Sequence, residues 1–313
     1  MNFLLLAIGF AALIKSADIL IDSASKLAKI FGIPSFIVGF SVIAFGTSAP
    51  ELVIGIFSGI GQSNLITLGD VIGSCIANIA LITGLTAVIR PLTIDKSVLY
   101  TEIPLSFGVQ LLLFGALFIG GVLSRIDAII LLILFAAFLF YIFRRSKSLG
   151  LAAEESENTT EAGGAAKVKP IILLIVSIIG VLIGGNLVVN SSTAIAHRFG
   201  MSDVLIGSTI VALGTSLPEL VTSIVAALKK QSDIAVGNII GSNIFNILFV
   251  LGVSSLIHPI PKTPGISTDI LFMLSATLIV FFIPLRRKEV SGIGGILLLL
   301  FYSSFMVYKV LSG

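Results

Sequence analysis

Two copies of one short motif decide the fold of this chain: residues 44–51 read AFGTSAPE and residues 212–219 read ALGTSLPE. Both copies lie in apolar stretches long enough to cross a bilayer. In a helix interior, proline removes a backbone donor and clashes with the carbonyl four residues earlier, and glycine weakens the helix further. A helix broken at membrane depth leaves carbonyl oxygens that must face protein, water or an ion. The motif therefore predicts two interrupted membrane helices.

The similarity extends beyond the motif at one constant offset of 168 residues, without a gap, from Phe31 to Pro91. Most of the shared residues are Gly, Pro, Ser, Thr, Asn or Glu, whereas apolar composition alone would mostly duplicate Leu, Ile and Val. The matches include Gly39 with Gly207, Gly69 with Gly237, Gly73-Ser74 with Gly241-Ser242, Asn78 with Asn246 and Gly84 with Gly252. Chance is a poor explanation, so the chain contains an internal repeat.

The composition indicates a membrane protein. The 313 residues are 56% hydrophobic and 11% charged, with a mean hydropathy of +1.15, whereas a soluble domain carries roughly 25% charged residues. The apolar runs predict an all-α polytopic membrane protein with ten spans, near 3–24, 35–58, 66–89, 98–121, 125–143, 170–191, 204–227, 234–257, 268–285 and 291–310. No basic segment precedes the first run, so we expect it to stay in the membrane as a helix.

The polar stretch 144–169 is the candidate linker between a first repeat, 1–143, and a second repeat, 170–313. Each repeat holds five predicted spans. Because five is odd, the second copy enters the membrane from the opposite face, and the repeats are predicted to be inverted. Transporters with inverted repeats bind substrate near the bilayer midplane, where the repeats meet.

Basic residues between the spans predict the orientation. The loops on one side hold fourteen of them: Lys26, Lys29, Arg90, Lys96, Arg144, Arg145, Lys147, Lys167, Lys169, Lys229, Lys230, Arg286, Arg287 and Lys288. The other side holds four: Arg125, Arg198, Lys262 and Lys309. Cytoplasmic loops carry the excess of Lys and Arg. We therefore expect a multi-pass protein of the cell membrane with a cytoplasmic linker and both termini outside.

Polar oxygens converge on spans 2, 3, 7 and 8. The only carboxylates deep inside spans 2 and 7 are Glu51 and Glu219, and a carboxylate buried in a membrane is costly without a partner. None of the four spans contains Lys or Arg, so a bound cation or a proton is the natural partner. Hydroxyl and amide groups accompany the carboxylates: Thr47, Ser48, Thr215, Ser216, Ser74, Asn78, Ser242 and Asn246.

This donor set consists of oxygen atoms. Calcium binds six to eight oxygens, and oxygen sites suit sodium as well, whereas zinc and copper prefer nitrogen or sulfur. Helix packing in the membrane is an alternative explanation for the glycines, Ser41 and Ser208, since small residues line helix contacts. Packing does not require a buried glutamate in both repeats. The pair Glu51 and Glu219 therefore favours ion binding.

Other features favour simpler roles. Asp70 and its counterpart Asn238 lie near predicted helix starts, where an end-capping role is expected. Three charged residues lie at helical spacing on span 1 and predict a local charge pair, with a place along an ion path as the alternative: Lys15, Asp18 and Asp22. The one cysteine, Cys75, is expected to be a buried packing residue.

No catalytic or nucleic-acid pattern occurs in the sequence. It has no His/Cys cluster, phosphate-binding loop or nucleophile elbow, and its basic residues are scattered between the apolar segments. We therefore expect neither an enzyme nor a cofactor, a nucleic acid or an obligate protein partner. We expect the helices to be surrounded by the lipid bilayer.

The duplicated GTS-x-PE and G-[ND]-xx-GS-xxx-N blocks resemble the two alpha-repeats of the sodium/calcium exchanger branch of the calcium/cation antiporter superfamily. The resemblance covers nearly the whole chain. It implies ten helices with four ion sites between spans 2, 3, 7 and 8. Carried over residue by residue, it implies a Ca²⁺ site formed by Glu51, Glu219, Thr47 and Thr215. It also implies Na⁺ sites that add the Ala44 and Ala212 carbonyls, Ser48, Ser216, Ser74, Ser242, Asn78 and Asn246.

One departure from the family pattern concerns Asn246. Some prokaryotic exchangers and the potassium-dependent branch carry Asp at this position. Asn here fits exchange without potassium and leaves two core carboxylates. The large regulatory calcium-binding domain of the animal exchangers is absent, because the 144–169 linker is too short to contain it.

The predicted function is therefore exchange of Na⁺ for Ca²⁺ by alternating access, in which spans 1 and 6 slide against the remaining helices. The alternatives are a proton/calcium antiporter on the same fold, with protons carried by Glu51 and Glu219, and a calcium-permeable channel.

Overall fold

The computed structural model describes residues 1–61, 65–154, 164–200 and 212–312, and these are almost entirely helical. Eight helices in the described ranges are long and apolar enough to cross a membrane: Asn2–Ile30, Ile66–Ile89, Val98–Gly120, Arg125–Arg145, Val168–Arg198, Ser232–Ile257, Ile266–Leu285 and Gly292–Leu311. A broken pair, Ser35–Thr47 and Ala49–Ile60, makes a ninth if it is one span. The predicted all-helical membrane fold is confirmed. The start of predicted span 7, 204–227, lies outside the described residues.

Many of these spans are interrupted. The α-helices are Asn2–Ile30, Ser35–Val38, Ala44–Thr47, Ala49–Ile60, Leu65–Ile76, Thr83–Ile89, Ile103–Gly120, Arg125–Glu154, Gly164–Arg198, Ala212–Gly214, Leu217–Leu228, Ser232–Phe245, Leu251–Ile257, Ile266–Phe282 and Gly292–Ser312. Wider π-helical turns join several of them: Gly39–Ile43, Ala77–Ile82, Val98–Glu102 and Asn246–Val250. Ile283–Leu285 forms a 3₁₀ turn. Helix also extends from both sides into the stretch predicted as a linker.

The local structure repeats at the offset seen in the sequence. The helices Ala49–Ile60 and Leu217–Leu228 occupy equivalent positions, as do Thr83–Ile89 and Leu251–Ile257. The π-helical turns at Asn78 and Asn246 are also equivalent. Two glycines that follow long helices, Gly32 and Gly200, both adopt the left-handed backbone that glycine accepts without strain. The repeat is therefore a repeat of conformation as well as of sequence.

The chain divides into two compact units, and the first comprises Met1–Thr47 and Phe140–Asn238. In this unit the helix Asn2–Ile30 packs along Gly164–Arg198. The two backbones approach so closely that only glycine fits at the contact points. A Cβ on Gly184 would lie 2.7 Å from the Leu13 nitrogen, and one on Gly9 would lie 3.0 Å from the Val188 nitrogen. Predicted spans 1 and 6 thus form one close pair.

The charged residues of span 1 are paired within the same unit. The Lys15 ammonium lies 3.5 Å from the Asp18 carboxylate, so the expected local charge pair is present. The Lys229 ammonium lies closer, at 2.7 Å from the Asp18 carboxylate and 2.6 Å from the Asp22 carboxylate. Lys229 stands just beyond the helix Leu217–Leu228. Burial lowers the pKa of Lys229, but hydrogen bonds to the two carboxylates outweigh burial and raise the pKa above its ordinary value. These contacts join span 1 to the end of span 7.

The second unit comprises Ser48–Leu139 and Ile239–Gly313. Two short antiparallel strand pairs tie its segments together, Leu92–Thr93 with Glu289–Val290 and Val122–Leu123 with Ile260–Pro261. The paired strands connect sequence from both repeats, so the halves of the chain are interleaved within this unit.

Side-chain contacts between helices reinforce the second unit. The Thr277 hydroxyl donates to Gln110 Oε1 at 2.8 Å, and the Lys309 ammonium lies 2.8 Å from the buried Asp269 carboxylate. The first contact joins predicted spans 4 and 9, and the second joins spans 9 and 10. Buried polar groups in a membrane protein require such partners.

The repeat-equivalent glycines Gly69 and Gly237 differ in their surroundings, and this difference generates a stability prediction. A Cβ on Gly237 would lie 2.6 Å from the Phe36 carbonyl oxygen and 2.9 Å from the Phe40 nitrogen, whereas a Cβ on Gly69 would meet nothing within 4 Å. Backbone atoms cannot move aside as a flexible side chain can. We expect Gly237→Ala to destabilise the protein by about 1–3 kcal/mol, the cost of overpacking.

The matched control is Gly69→Ala, which we expect to leave stability unchanged or to raise it by up to about 1 kcal/mol, because alanine favours helix over glycine. The measurement is thermal unfolding of both purified variants in detergent. Equal effects of the two substitutions would contradict the close approach at Gly237.

Candidate functional site

Both copies of the motif place a glutamate in the first turn of a helix. After the helix Ala44–Thr47, the backbone leaves helical geometry at Ser48 and a new helix begins at Ala49, with Pro50 and Glu51 in its first turn. The second copy does the same at Ser216, before Pro218 and Glu219. Proline at this position loses nothing, since the first backbone N–H groups of a helix have no intrahelical acceptor. The break is thus a new helix start rather than a kink.

This placement has an electrostatic consequence. The N-terminus of a helix carries a partial positive charge and favours anions. Glu51 and Glu219 each lie at such an end, and both are fully buried. Each half of the chain therefore stabilises one carboxylate at the start of a helix, in the manner that the sequence repeat requires.

Six of the predicted site residues belong to the second unit and are all buried: Ser48, Glu51, Ser74, Asn78, Ser242 and Asn246. The Ser74 hydroxyl donates a hydrogen bond to Glu51 Oε1 at 3.2 Å. This contact joins spans 2 and 3, as the predicted convergence of their oxygens requires. Glu51 and Ser74 are therefore neighbours within this unit.

Both asparagines of this group lie in π-helical turns. Asn78 belongs to the turn Ala77–Ile82, and Asn246 begins the turn Asn246–Val250. The hydroxyl of Thr83, the residue after the first turn, donates to the backbone carbonyl of Asn78 at 3.0 Å. Such turns often occur at functional sites. Several buried polar atoms here have no hydrogen-bond partner among the described residues: Asn78 Oδ1, Ser242 Oγ, and both Oδ1 and Nδ2 of Asn246. Buried polar atoms without a partner are costly unless a ligand binds them.

The other six predicted residues belong to the first unit. Ala44, Thr47, Ser216 and Glu219 are buried, and Thr215 is partly buried. Ala212 begins a short helix after the undescribed residues 201–211, and its side chain is outside the described part. The structure therefore describes the backbone of all six.

Thr47 is oriented by hydrogen bonds within the first unit. Its hydroxyl donates to Asn238 Oδ1 at 3.2 Å and lies 3.4 Å from the Ala44 carbonyl oxygen. The Asn238 amide donates in turn to the Ser223 hydroxyl at 3.2 Å. With its proton committed in this way, the Thr47 oxygen keeps lone pairs for a cation.

The capping role expected for Asp70 and Asn238 is wrong. Asp70 lies inside the helix Leu65–Ile76, and Asn238 lies inside Ser232–Phe245. Instead of capping a helix, the fully buried Asn238 links Thr47 to Ser223. The repeated G-[ND] block marks the position of Asn238 in the sequence, but only the fold shows that Asn238 contacts Thr47.

The sequence reasoning also missed Asn243. This residue is fully buried, its Oδ1 accepts a hydrogen bond from Asn78 Nδ2 at 3.1 Å, and its Nδ2 donates to the Cys75 carbonyl at 3.3 Å. Its counterpart in the first repeat is Cys75, so no sequence identity marks the position. Cys75 is buried, as expected.

The donors described here are carboxylate, hydroxyl, amide and backbone oxygens. No group of three or more His, Cys, Asp or Glu side chains comes together within the described ranges. Hard cations such as Ca²⁺ and Na⁺ bind the oxygen types present in both units.

Comparison with known proteins gives a consistent result. A family model described as "Sodium/calcium exchanger protein" matches residues 1–144 and 169–311. The chain is 37% identical over 304 residues to the inner membrane protein YrbG of Escherichia coli. This match covers 94% of this chain and 92% of YrbG. It is 31% identical over 351 residues to the sodium/calcium exchanger MaX1 of Methanosarcina acetivorans, with 98% and 97% covered.

Solved structures of the sodium-calcium exchanger NCX_Mj are also similar to this chain. One of them, from a crystal soaked with zero Na⁺ and Ca²⁺, superimposes with a TM-score of 0.85 at 30% sequence identity. The match covers 98% of this chain and 98% of that chain. The similarity thus extends over the fold as a whole.

The hydrogen bond between Ser74 and Glu51 generates a prediction about cation binding. We expect Ser74→Ala to weaken binding of Ca²⁺ by about 1 kcal/mol, or roughly fivefold, because the carboxylate loses the donor that orients it. The measurement is the Ca²⁺ concentration that gives half of the maximal thermal stabilisation in detergent.

Ser254→Ala is the matched control. Ser254 is also fully buried, but its hydroxyl donates to the Gly55 carbonyl at 2.9 Å. We expect this variant to lower the unfolding temperature without cation while leaving the Ca²⁺ midpoint unchanged. An unchanged midpoint for Ser74→Ala would contradict a role of the Ser74–Glu51 pair in cation binding.

Proposed function

This chain belongs to the sodium/calcium exchanger protein family, and on that premise we propose that it is a secondary active antiporter that exchanges Na⁺ for Ca²⁺ by alternating access. The observation that carries the proposal is the pair of fully buried carboxylates, Glu51 and Glu219, each in the first turn of a helix inside a multi-pass membrane protein. Two proteins that are similar to this chain, MaX1 and NCX_Mj, are named as sodium/calcium exchangers, and this similarity supports the same substrates.

The proposed mechanism follows from the charge of these two side chains. Without a cation they would carry two negative charges through a low-dielectric barrier, which is costly. One Ca²⁺ neutralises both, and Na⁺ ions neutralise them in the same way. A third Na⁺ would leave one positive charge and make exchange electrogenic. Since the unloaded protein is disfavoured during the transition, one ion must be exchanged for the other.

We propose that twelve residues bind the transported ions. Four bind Ca²⁺: Glu51, Glu219, Thr47 and Thr215. Eight complete the Na⁺ sites: Ala44 and Ala212 through their carbonyls, and Ser48, Ser216, Ser74, Ser242, Asn78 and Asn246. The Ser74–Glu51 hydrogen bond and the buried amide atoms of Asn78 and Asn246 that lack a partner in the described ranges support this assignment.

The proposed topology is ten spans in two inverted repeats, 1–143 and 170–313, joined by a cytoplasmic linker at 144–169, with both termini outside the cell. The recurrence of helix starts and π-helical turns at the sequence offset supports the repeats. Cys75 contacts its own repeat counterpart, Asn243, as residues next to a two-fold axis would. The excess of basic residues on one side supports the orientation.

Spans 1 and 6 are proposed to slide against the other helices. Their close packing, with Gly184 against Leu13, supports movement of the two helices as one body. The contacts of Lys229 with Asp18 and Asp22 would have to change during such movement.

Flux measurements with the purified protein in lipid vesicles test the proposed exchange. We expect an outward Na⁺ gradient to drive uptake of radioactive Ca²⁺, and a pH gradient of equal size to drive none in the absence of Na⁺. Uptake driven only by the pH gradient would favour a proton/calcium antiporter, with Glu51 and Glu219 as proton carriers. Ca²⁺ flux without any counter-ion would favour a channel.

Substitution of the two glutamates tests the proposed site. We expect Glu51→Gln and Glu219→Gln each to reduce Na⁺-driven Ca²⁺ uptake at least about 100-fold. Loss of one carboxylate charge leaves a bound Ca²⁺ with uncompensated positive charge in a low-dielectric surrounding, and this costs a few kcal/mol of Ca²⁺ binding energy.

Glu102→Gln is the matched control. Glu102 is likewise a fully buried glutamate of a predicted span, but it lies on span 4, outside the motifs. We expect this variant to keep most of the exchange activity at equal amounts of folded protein. Retained exchange in both Glu51→Gln and Glu219→Gln would contradict the assignment.

A further inference from the structure

The two asparagines of the proposed site occupy equivalent positions in the repeats but have different neighbours. Asn78 and Asn246 are both buried, and each lies in the first residues of a π-helical turn. Three residues before Asn246 the chain has Asn243, whereas three residues before Asn78 it has Cys75. The repeat is therefore broken at the position next to each amide.

A chain of hydrogen bonds fixes the orientation of Asn78. The Cys75 backbone carbonyl can only accept, so the group of Asn243 that faces it, at 3.3 Å, must be the Nδ2 donor. Asn243 then presents its Oδ1 to Asn78, and the group of Asn78 that faces this oxygen, at 3.1 Å, must be Nδ2. The Asn78 oxygen is consequently directed elsewhere, and it has no hydrogen-bond partner in the described ranges.

Among the residues that the structure describes, no such chain orients Asn246. The residue at the repeat-equivalent position, Cys75, has a thiol in place of an amide, and a thiol is a weak donor and a weak acceptor. The Cys75 sulfur lies 3.9 Å from the Asn243 backbone oxygen. This contact is the repeat equivalent of the bond from the Asn243 side-chain amide to the Cys75 backbone carbonyl. Neither side-chain atom of Asn246 has a hydrogen-bond partner within the described part of the chain.

We propose that Asn243 is a positioning residue that fixes Asn78 as an oxygen donor to the transported cation, while Cys75 leaves the Asn246 amide able to turn. This inference rests on the proposed function, because it takes Asn78 and Asn246 as ion ligands. A ligand held in its binding orientation loses little freedom when the cation arrives, whereas a ligand that turns must be ordered on binding. The two halves of the site are therefore unequal although the repeat makes them similar.

Replacement of Asn243 by the residue of the other repeat tests the proposal. We expect Asn243→Cys to raise the Na⁺ concentration for half-maximal thermal stabilisation by about three- to tenfold, the range for loss of one orienting hydrogen bond, because Asn78 is assigned to the Na⁺ sites. The Ca²⁺ midpoint and the maximal rate of exchange should change much less than the Na⁺ midpoint. Asn243 also ties span 8 to span 3, so the unfolding temperature without cation measures that structural role separately.

The reciprocal substitution tests the other half. We expect Cys75→Asn to place its amide nitrogen near the Asn243 backbone carbonyl and its oxygen near Asn246, and so to lower the Na⁺ midpoint by about two- to tenfold, the gain from one orienting hydrogen bond. Cys75→Ser, which has no amide, should leave the Na⁺ midpoint within about twofold. The test remains available if Asn243→Cys fails to fold.

Two outcomes would overturn the inference. In one, Asn243→Cys lowers the unfolding temperature without cation but leaves the Na⁺ midpoint unchanged, which makes Asn243 a tether only. In the other, Cys75→Asn leaves the Na⁺ midpoint unchanged or raises it. Failure of the proposed function is a separate result, seen when the wild-type protein in vesicles does not exchange Na⁺ for Ca²⁺. The thermal midpoints do not depend on that transport measurement.

Discussion

The energetic cost of a carboxylate buried in a bilayer is the constraint on which the rest of this structure depends. An ionised glutamate at membrane depth needs a compensating positive charge, a proton or a strong set of donors. The chain meets this need with a new helix start at Glu51 and another at Glu219, so that each acid lies where the helix dipole is positive. Glycine, serine and proline before each glutamate make that start possible. The motif thus places a buried negative charge at the start of a helix, once in each repeat.

Duplication supplies this device twice, and single residues then make the copies different. Gly237 allows a backbone approach that its counterpart Gly69 does not need. Asn238 orients Thr47, whereas the equivalent position in the first repeat holds Asp70. A transporter that opens to two sides in turn benefits from similar halves, because similar halves can exchange roles. Local differences of this kind give equivalent side chains of the two copies different contacts.

Much of the architecture could be predicted from the sequence. The apolar runs and the broken motif predict the membrane helices, because length and hydropathy decide membrane insertion without tertiary contacts. The proline was expected to interrupt a helix interior, and it instead begins a helix, because Ser48 and Ser216 leave the helical backbone first. The π-helical turns at Asn78 and Asn246 have no sequence signature, since they are stabilised by packing.

The contacts between the candidate residues could not be predicted from the sequence. Asn238 accepts a hydrogen bond from Thr47, which is 191 residues away in sequence. Asn243 accepts one from Asn78, which is 165 residues away. The partner of Asp18 is Lys229, on another helix end. A motif shows which residue types recur, but only the fold decides which of them meet. The repeat itself hid Asn243, because a search for identities passes over the one position where the copies differ.

The charge of the proposed site explains why an amide at Asn246 suits exchange of these two ions. With two carboxylates, one Ca²⁺ gives a neutral site, and the protein can cross between its two open states without carrying net charge through the low-dielectric barrier. An aspartate at position 246 would leave one negative charge after Ca²⁺ has bound, and an additional monovalent cation or proton would be needed for the same crossing. Neutral oxygens must then supply most of the coordination that Ca²⁺ requires, since two carboxylates cannot provide six to eight ligands. Serine, threonine and asparagine on four helices, together with freed carbonyls, are the groups that can add ligands without adding charge.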